Sequence, residues 1–235
     1  MSASVPEKVS NDVGLADLQG PAGNVYDKYG TKNPLSRVLV RGFLTTVDEV
    51  MDALSPTSVL DVGCGEGVVT ERISRSLPHA QVVGLDVGDP ALLSEWEHRS
   101  ASRLRFQPGS AYALPFADGS FDLVCAFEVL EHLERPADAL TEFTRVASRA
   151  LVLSVPREPI WRIGNVLTGR HLRAWGNTPG HVNHWSARQF AAFVGDGGTV
   201  IDVRKPLPWT VTTVAVSHAA QADSSPAQQT GRLAR

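Results

Sequence analysis

Val59-Leu60-Asp61-Val62-Gly63-Cys64-Gly65-Glu66-Gly67 is the stretch that decides the fold. Apolar β-formers run straight into a loop with glycine at every second position. Without a Cβ, such a loop lets backbone come into van der Waals contact with a ligand. An acid, Asp61, stands two residues before the first glycine. That order points to a nucleotide-like cofactor held by bare backbone at the carboxyl end of a strand.

Outward from this loop the chain alternates. Val68–Leu77 reads as a helix, Gln81–Leu85 as a strand, Pro90–His98 as a helix and Leu104–Gln107 as a short strand. Phe121–Ala126 and Ala150–Val155 are near-continuous apolar strands on either side of a helix over Ala137–Ala147. Apolar runs without alternation imply strands covered on both faces, as in a parallel sheet. The βαβα rhythm predicts a doubly wound, mostly parallel α/β sheet with helices on both faces. Farther on, Ser186–Val194 reads as a helix capped by Ser186. Thr199–Arg204 and Thr210–Val216 read as closing strands, and Pro206 and Pro208 between them favour a hairpin-like connection. That gives seven strands. Leu35–Leu54 has helical apolar spacing, read first as packing on the sheet and second as a lid over the cofactor.

The chain has 235 residues, 43% of them apolar, and a formal net charge of −3, enough for one α/β domain with a real core. This charge gives no global attraction to nucleic acid or to an anionic membrane, so neither is an expected partner. Cys64 and Cys125 read as small buried thiols. No apolar run approaches a membrane span, and the polar start lacks a signal-peptide pattern, so a cytoplasmic protein is expected. Residues 1–22 are expected to be a flexible N-terminus, 23–220 the catalytic-type domain and 221–235 a disordered tail.

Two readings of the glycine loop compete. A dinucleotide fingerprint needs G-x-G-x-x-G, but here the spacing is G-x-G-x-G, with Val68 where the third glycine should stand. Glu66 beside a diphosphate would be repulsive; it suits a ligand with a cationic end. The pattern Asp61-x-Gly63-x-Gly65-x-Gly67 resembles the first motif of class I S-adenosylmethionine-dependent methyltransferases. That cofactor carries a sulfonium and an ammonium and no phosphate. The resemblance implies that Asp61 helps anchor the methionine end and that Gly63, Gly65 and Gly67 lie against the cofactor. It makes Asp86, after Val82-Val83-Gly84-Leu85, the ribose-binding acid. Ser110 and Ala111, after Gln107-Pro108-Gly109, fall where the family contacts adenine, although the family usually has an acid at the Ser110 position. Phe127, ending the fourth strand, is a further cofactor contact by position. Leu114-Pro115-Phe116-Ala117-Asp118-Gly119-Ser120-Phe121-Asp122-Leu123-Val124 is similar to the small-molecule branch typified by quinone-biosynthesis enzymes. The resemblance covers residues 57–155.

The fourth strand runs on into Phe127-Glu128-Val129-Leu130-Glu131-His132, at the sheet edge where ligands of doubly wound folds bind. Methyl transfer from a sulfonium is an in-line displacement, so the protein must align a nucleophile and, for a hydroxyl, remove its proton. His132 is the candidate general base, supported by Glu128; a structural histidine bonded to local backbone is the alternative. Glu128, Glu131 and His132 share a face if the segment is helical, a set able to hold a divalent metal. By resemblance to some ubiquinone-pathway and small-RNA methyltransferases, this E-x-x-E-H run holds magnesium or manganese with a histidine from downstream, for which His181 and His184 are candidates.

Residues 156–186 form an expected substrate cap, loop-rich and holding three of the five tryptophans and three of the seven histidines. Arg157, Trp161, His181 and His184 are its candidate contacts, with Arg162, Arg170, Arg173 and Trp175 nearby; Tyr26 and Tyr29 are candidates for the opposite wall. Arginines suit an anionic group and tryptophans a ring. The leading expectation is O-methylation of a small molecule that is anionic or ring-bearing. RNA 2′-O-methylation at a metal site, a non-catalytic S-adenosylmethionine-binding protein and a nicotinamide-dependent enzyme are the alternatives. The motifs do not distinguish oligomeric states.

Overall fold

The computed structural model describes residues 33–161 and 180–217. In chain order the elements are α1 (Pro34–Leu54), β1 (Ser58–Val62), α2 (Val68–Ser76), β2 (Gln81–Asp86), α3 (Pro90–Arg99), β3 (Leu104–Pro108) and β4 (Phe121–Phe127). A 3-10 turn (Leu130–His132) leads to α4 (Pro136–Val146), β5 (Ala147–Pro156), α5 (Ala187–Val194), β6 (Thr199–Arg204) and β7 (Trp209–Ala215). Both terminal segments, Tyr26, Tyr29, Arg162, Arg170, Arg173 and Trp175 lie outside the described residues.

The strands form one seven-stranded sheet in the order β3-β2-β1-β4-β5-β7-β6. The pairs from β3 through β5 are parallel, and β7 is antiparallel to both β5 and β6. The order reverses between β1 and β4, so a crevice opens where β1 connects to one side and β4 to the other.

The apolar runs are explained by cover on both faces. Along β4, Leu123, Cys125 and Phe127 face a layer with Phe43, Val47 and Met51 of α1 and Val69 and Ile73 of α2. Val124 and Ala126 face the opposite layer with Leu140 and Phe143 of α4 and Phe190 and Val194 of α5. Most of α1 is therefore packed on the sheet, as its spacing predicts, while Leu35 and Val38 in its first turns stay exposed. Ser186 caps α5 in a capping box with Gln189. Among the described residues, no helix is long and apolar enough to cross a membrane.

The Leu114–Val124 segment has a structural explanation. Arg145 of α4 donates to Leu114 O at 3.0 Å and to Phe116 O at 2.8 Å, and it also pairs with Asp118 and Glu142. Glu142 in turn accepts from Leu114 N at 2.8 Å, and Arg145 holds its carboxyl below the usual range. Arg145→Met leaves two carbonyls and two carboxylates, those of Asp118 and Glu142, without their cation. Charge-assisted hydrogen bonds are worth roughly 1.5–3 kcal/mol each, discounted for partial exposure, so the expected loss is about 2 kcal/mol, read as a lower urea midpoint.

Candidate functional site

The carboxyl ends of β1, β2 and β4 converge on the glycine loop. Gly63 and Gly67 have φ of 74° and 80°, in the left-handed region that favours glycine. A Cβ on Gly63 would come within 2.3 Å of Val129 Cγ2, and one on Gly67 within 2.5 Å of the Phe106 ring. A Cβ on Gly65 would meet nothing within 4 Å. The loop is therefore backed by protein at both ends and open in the middle. Its backbone is tied down: Gly63 N and Cys64 N donate to Leu85 O at 2.7 and 3.2 Å. Gly65 O accepts from Trp96 Nε1 of α3 at 2.8 Å, and Trp96 stacks on Phe106. Neither aromatic carries a motif letter, so sequence reading passes over them; only the α3 position of Trp96 hints at them.

Asp86 reaches back across the loop. One carboxylate oxygen accepts from Gly65 N at 2.7 Å and the other from Val87 N at 2.6 Å. Burial raises its pKa, and the two N–H donors oppose that shift. Asp61 shares the sheet face of Val59, so its carboxyl enters the layer beneath α2 and accepts from Thr70 Oγ1 at 2.7 Å. It is only 2% exposed, and burial pushes its pKa up to about 7, against a smaller lowering by Thr70. Glu66 is exposed. Ser110 Oγ accepts locally from Tyr112 N at 3.2 Å, and both Ser110 and Ala111 are half-buried beyond β3. Phe127 differs from the cofactor contact expected of it. Its side chain has the parity of Leu123 and Cys125, so the ring is buried edge-on against Phe43, 5.9 Å between centroids.

The E-x-x-E-H run also departs from a helical face. Glu128 has a φ of 61°, a left-handed conformation that costs a non-glycine residue about 1–3 kcal/mol. Only Leu130–His132 forms a 3-10 turn, so Glu128 lies outside it. The structure gathers a different trio: one ligand atom each from Glu131, His132 and His181, all within 4.8 Å of one another. Among the described residues, Glu128 and His184 are not part of that cluster. His132 Nδ1 lies 3.0 Å from Gly180 O. A carbonyl can only accept, so in the neutral ring Nδ1 carries the proton and Nε2 the lone pair.

His181 is buried, and it arrives on a segment bound to this turn. Val182 N and Asn183 N both donate to Glu131 O, and Asn183 Nδ2 donates to Leu130 O and Leu133 O. His184 lies 3.7 Å from Glu158. Arg157 follows β5, its main chain bridged to Trp185 and its N–H bonded to Pro208 O. A train of rings links the end of β4 to this cluster. Phe43 meets Trp209 at 5.1 Å, Trp209 meets Trp161 at 6.1 Å, Trp161 meets His181 at 6.0 Å and His181 meets His132 at 4.8 Å. Among the described residues, Trp209 Nε1 and Ser154 Oγ are buried beside these rings without a hydrogen-bond partner. Both residues lie on the sheet face of Phe127, since Ser154 pairs with it in register. A buried unpaired donor costs about 1–3 kcal/mol, which marks these two as candidate ligand contacts that sequence reading misses.

Residues 60–150 match a family model described as a methyltransferase domain. The chain is 34% identical over 154 residues to a ubiquinone/menaquinone biosynthesis C-methyltransferase of Dinoroseobacter shibae, covering 60% of each protein. It is 34% identical over 98 residues to a ubiquinone biosynthesis O-methyltransferase of Methylococcus capsulatus, covering 40% of each. These matches span three fifths or less of each relative's own length. The fold resembles that of the Synechocystis magnesium protoporphyrin IX methyltransferase crystallised with SAH. There the TM-score is 0.61 at 19% identity, over 80% of this chain and 90% of that one.

Proposed function

We propose that this chain is a class I S-adenosylmethionine-dependent methyltransferase and transfers a methyl group from S-adenosylmethionine to an oxygen of a small, ring-bearing acceptor. One observation carries the reading. The glycine loop and the Glu131–His132–His181 cluster meet at a single strand edge, with Gly63 packed directly against Val129. A donor cradle and a set of proton- or metal-handling groups thus face one crevice at the switch point of the sheet.

In this reading Asp86 holds the ribose, Asp61 the cationic methionine end, the open face at Gly65 the body of the cofactor, and Ser110 and Ala111 the adenine edge. When bound, S-adenosylmethionine supplies a methyl carbon open to in-line displacement from sulfur. His132 takes the acceptor's hydroxyl proton at Nε2, with Nδ1–H anchored on Gly180 O. Trp161, His181 and Trp209 offer ring faces to a flat acceptor. Trp209 Nε1 and Ser154 Oγ donate to its oxygens, and Arg157 serves an anionic substituent.

The 4.8 Å cluster favours a second reading of the same edge, in which Glu131, His132 and His181 hold a divalent ion. Two imidazoles and one carboxylate suit manganese or another transition ion better than magnesium, which prefers oxygen donors. Such an ion would lower the pKa of an acceptor hydroxyl. His132 is then a ligand and not the base.

The test is a screen of hydroxylated ring acceptors with S-adenosylmethionine carrying a labelled methyl group, run with and without a chelator. Absence of S-adenosylmethionine binding by calorimetry would sink both readings. His132→Ala should lower turnover about 100-fold while cofactor affinity stays within twofold. Activity that survives the chelator supports the base; activity abolished by it and restored by manganese supports the metal.

A further inference from the structure

We propose that Asn183 is a positioning residue: its side-chain amide clamps the Leu130–His132 turn so that Glu131 and His132 meet His181. The inference rests on the functional reading of His132 above. A 3-10 turn of three residues leaves most of its carbonyls without partners of its own. Its internal support is His132 N to Val129 O at 2.9 Å and a longer Leu133 N to Leu130 O at 3.3 Å. Among the described residues, further hold comes from a segment about fifty residues away in sequence. Asn183 Nδ2 donates to Leu130 O at 3.0 Å and to Leu133 O at 2.6 Å, so one amide spans both ends of the turn. Between them, Glu131 O accepts from Val182 N at 2.8 Å and Asn183 N at 3.1 Å.

The chemistry of the side chain is specific. An NH2 group carries two donors, which two carbonyls require; the isosteric aspartate has only acceptors when ionised. The clamp also fixes relative placement, because His181 stands two residues before Asn183 on the same segment. Gly180, with φ of 88°, aims its carbonyl at His132 Nδ1 from the start of that segment. Asn183 bonds only to the carbonyls of the turn in these contacts, so its part is orientation: releasing it frees the turn that carries Glu131 and His132, and none of these contacts reaches the glycine loop itself.

Asn183→Ala and Asn183→Asp test this, the second keeping the volume while removing the donors. The first readout is the imidazole of His132 in long-range proton–nitrogen NMR spectra. The wild type should show one tautomer protonated at Nδ1, and both variants a mixture. The second is turnover, expected to fall about 10- to 100-fold, with S-adenosylmethionine affinity within twofold of wild type as the check that both variants fold. If Asn183→Asp keeps the wild-type tautomer and turnover, the proposal is overturned. If His132→Ala retains full turnover, the reading of His132 has failed, and the tautomer signal still decides whether Asn183 clamps the turn.

Discussion

Gly63→Ala should destabilise the protein by about 2–5 kcal/mol, whereas Gly65→Ala should cost about 1–2 kcal/mol and yet weaken S-adenosylmethionine binding about 10- to 100-fold. The two glycines look equivalent as letters in one motif. Both take a left-handed φ, 74° at Gly63 and 53° at Gly65, so alanine at either pays roughly 1–2 kcal/mol of backbone strain. What differs is the space beside them. The new methyl at Gly63 would overlap Val129 at 2.3 Å. The β-branched side chain of Val129, just ahead of the Leu130–His132 turn, has few rotamers in which to retreat, which adds about 1–3 kcal/mol of overpacking. The methyl at Gly65 meets no protein atom within 4 Å. It would occupy the open face on which the proposed cofactor lies, so the same steric cost falls on binding. Urea midpoints and calorimetric titration of each variant read the two quantities separately. Equal destabilisation by both substitutions, or undiminished affinity in Gly65→Ala, would show that the open face is not the cofactor's.

The contrast between these glycines also shows which features a sequence carries. The order of strands and helices was legible because covered parallel strands are apolar without a break, and the closing pair announced itself through Pro206 and Pro208. Asp86 was legible only as an acid at the end of the second strand, given a ribose-binding role by resemblance; that its carboxylate accepts from Gly65 N is a contact the letters do not carry. The parity of a strand buried on both faces is not legible: Leu123 to Phe127 is apolar at every position, so nothing in the letters tells that the Phe127 ring turns under α1. The E-x-x-E-H run suggested a helix by spacing alone, but the left-handed φ of Glu128 breaks that face and His181 completes the cluster instead. Trp96, Asn183 and Trp209 act through contacts with residues distant in sequence, which local pattern does not encode.

Asp61→Asn should stabilise the ligand-free protein above neutral pH while weakening its grip on S-adenosylmethionine. The Asp61 carboxyl has an ordinary value of 3.8 and is pushed up to about 7 in the fold. A raised carboxylate pKa means that the folded state holds a proton the unfolded chain has released. Stability from this group is therefore fully present below about pH 4 and is lost as pH rises to about 7. Three pH units at 1.36 kcal/mol each make the loss about 4 kcal/mol. Asparagine has no proton to lose, and its carbonyl oxygen can still accept from Thr70 Oγ1. Its stability should be flat across that window and exceed wild type at pH 8 by up to about 4 kcal/mol, measured as urea midpoints at pH 5 and 8. Binding runs the other way. A ligand with a sulfonium and an ammonium prefers the ionised carboxylate, so wild-type affinity should fall about tenfold per unit as pH drops below about 7 and level off above it. The asparagine variant should bind more weakly at pH 8 and show no such slope. Asp86, also raised by burial, is unchanged in the variant, so any slope that persists belongs to it. A wild-type affinity flat from pH 5 to 8 would remove Asp61 from the cofactor site and leave it as a buried acid bonded to Thr70.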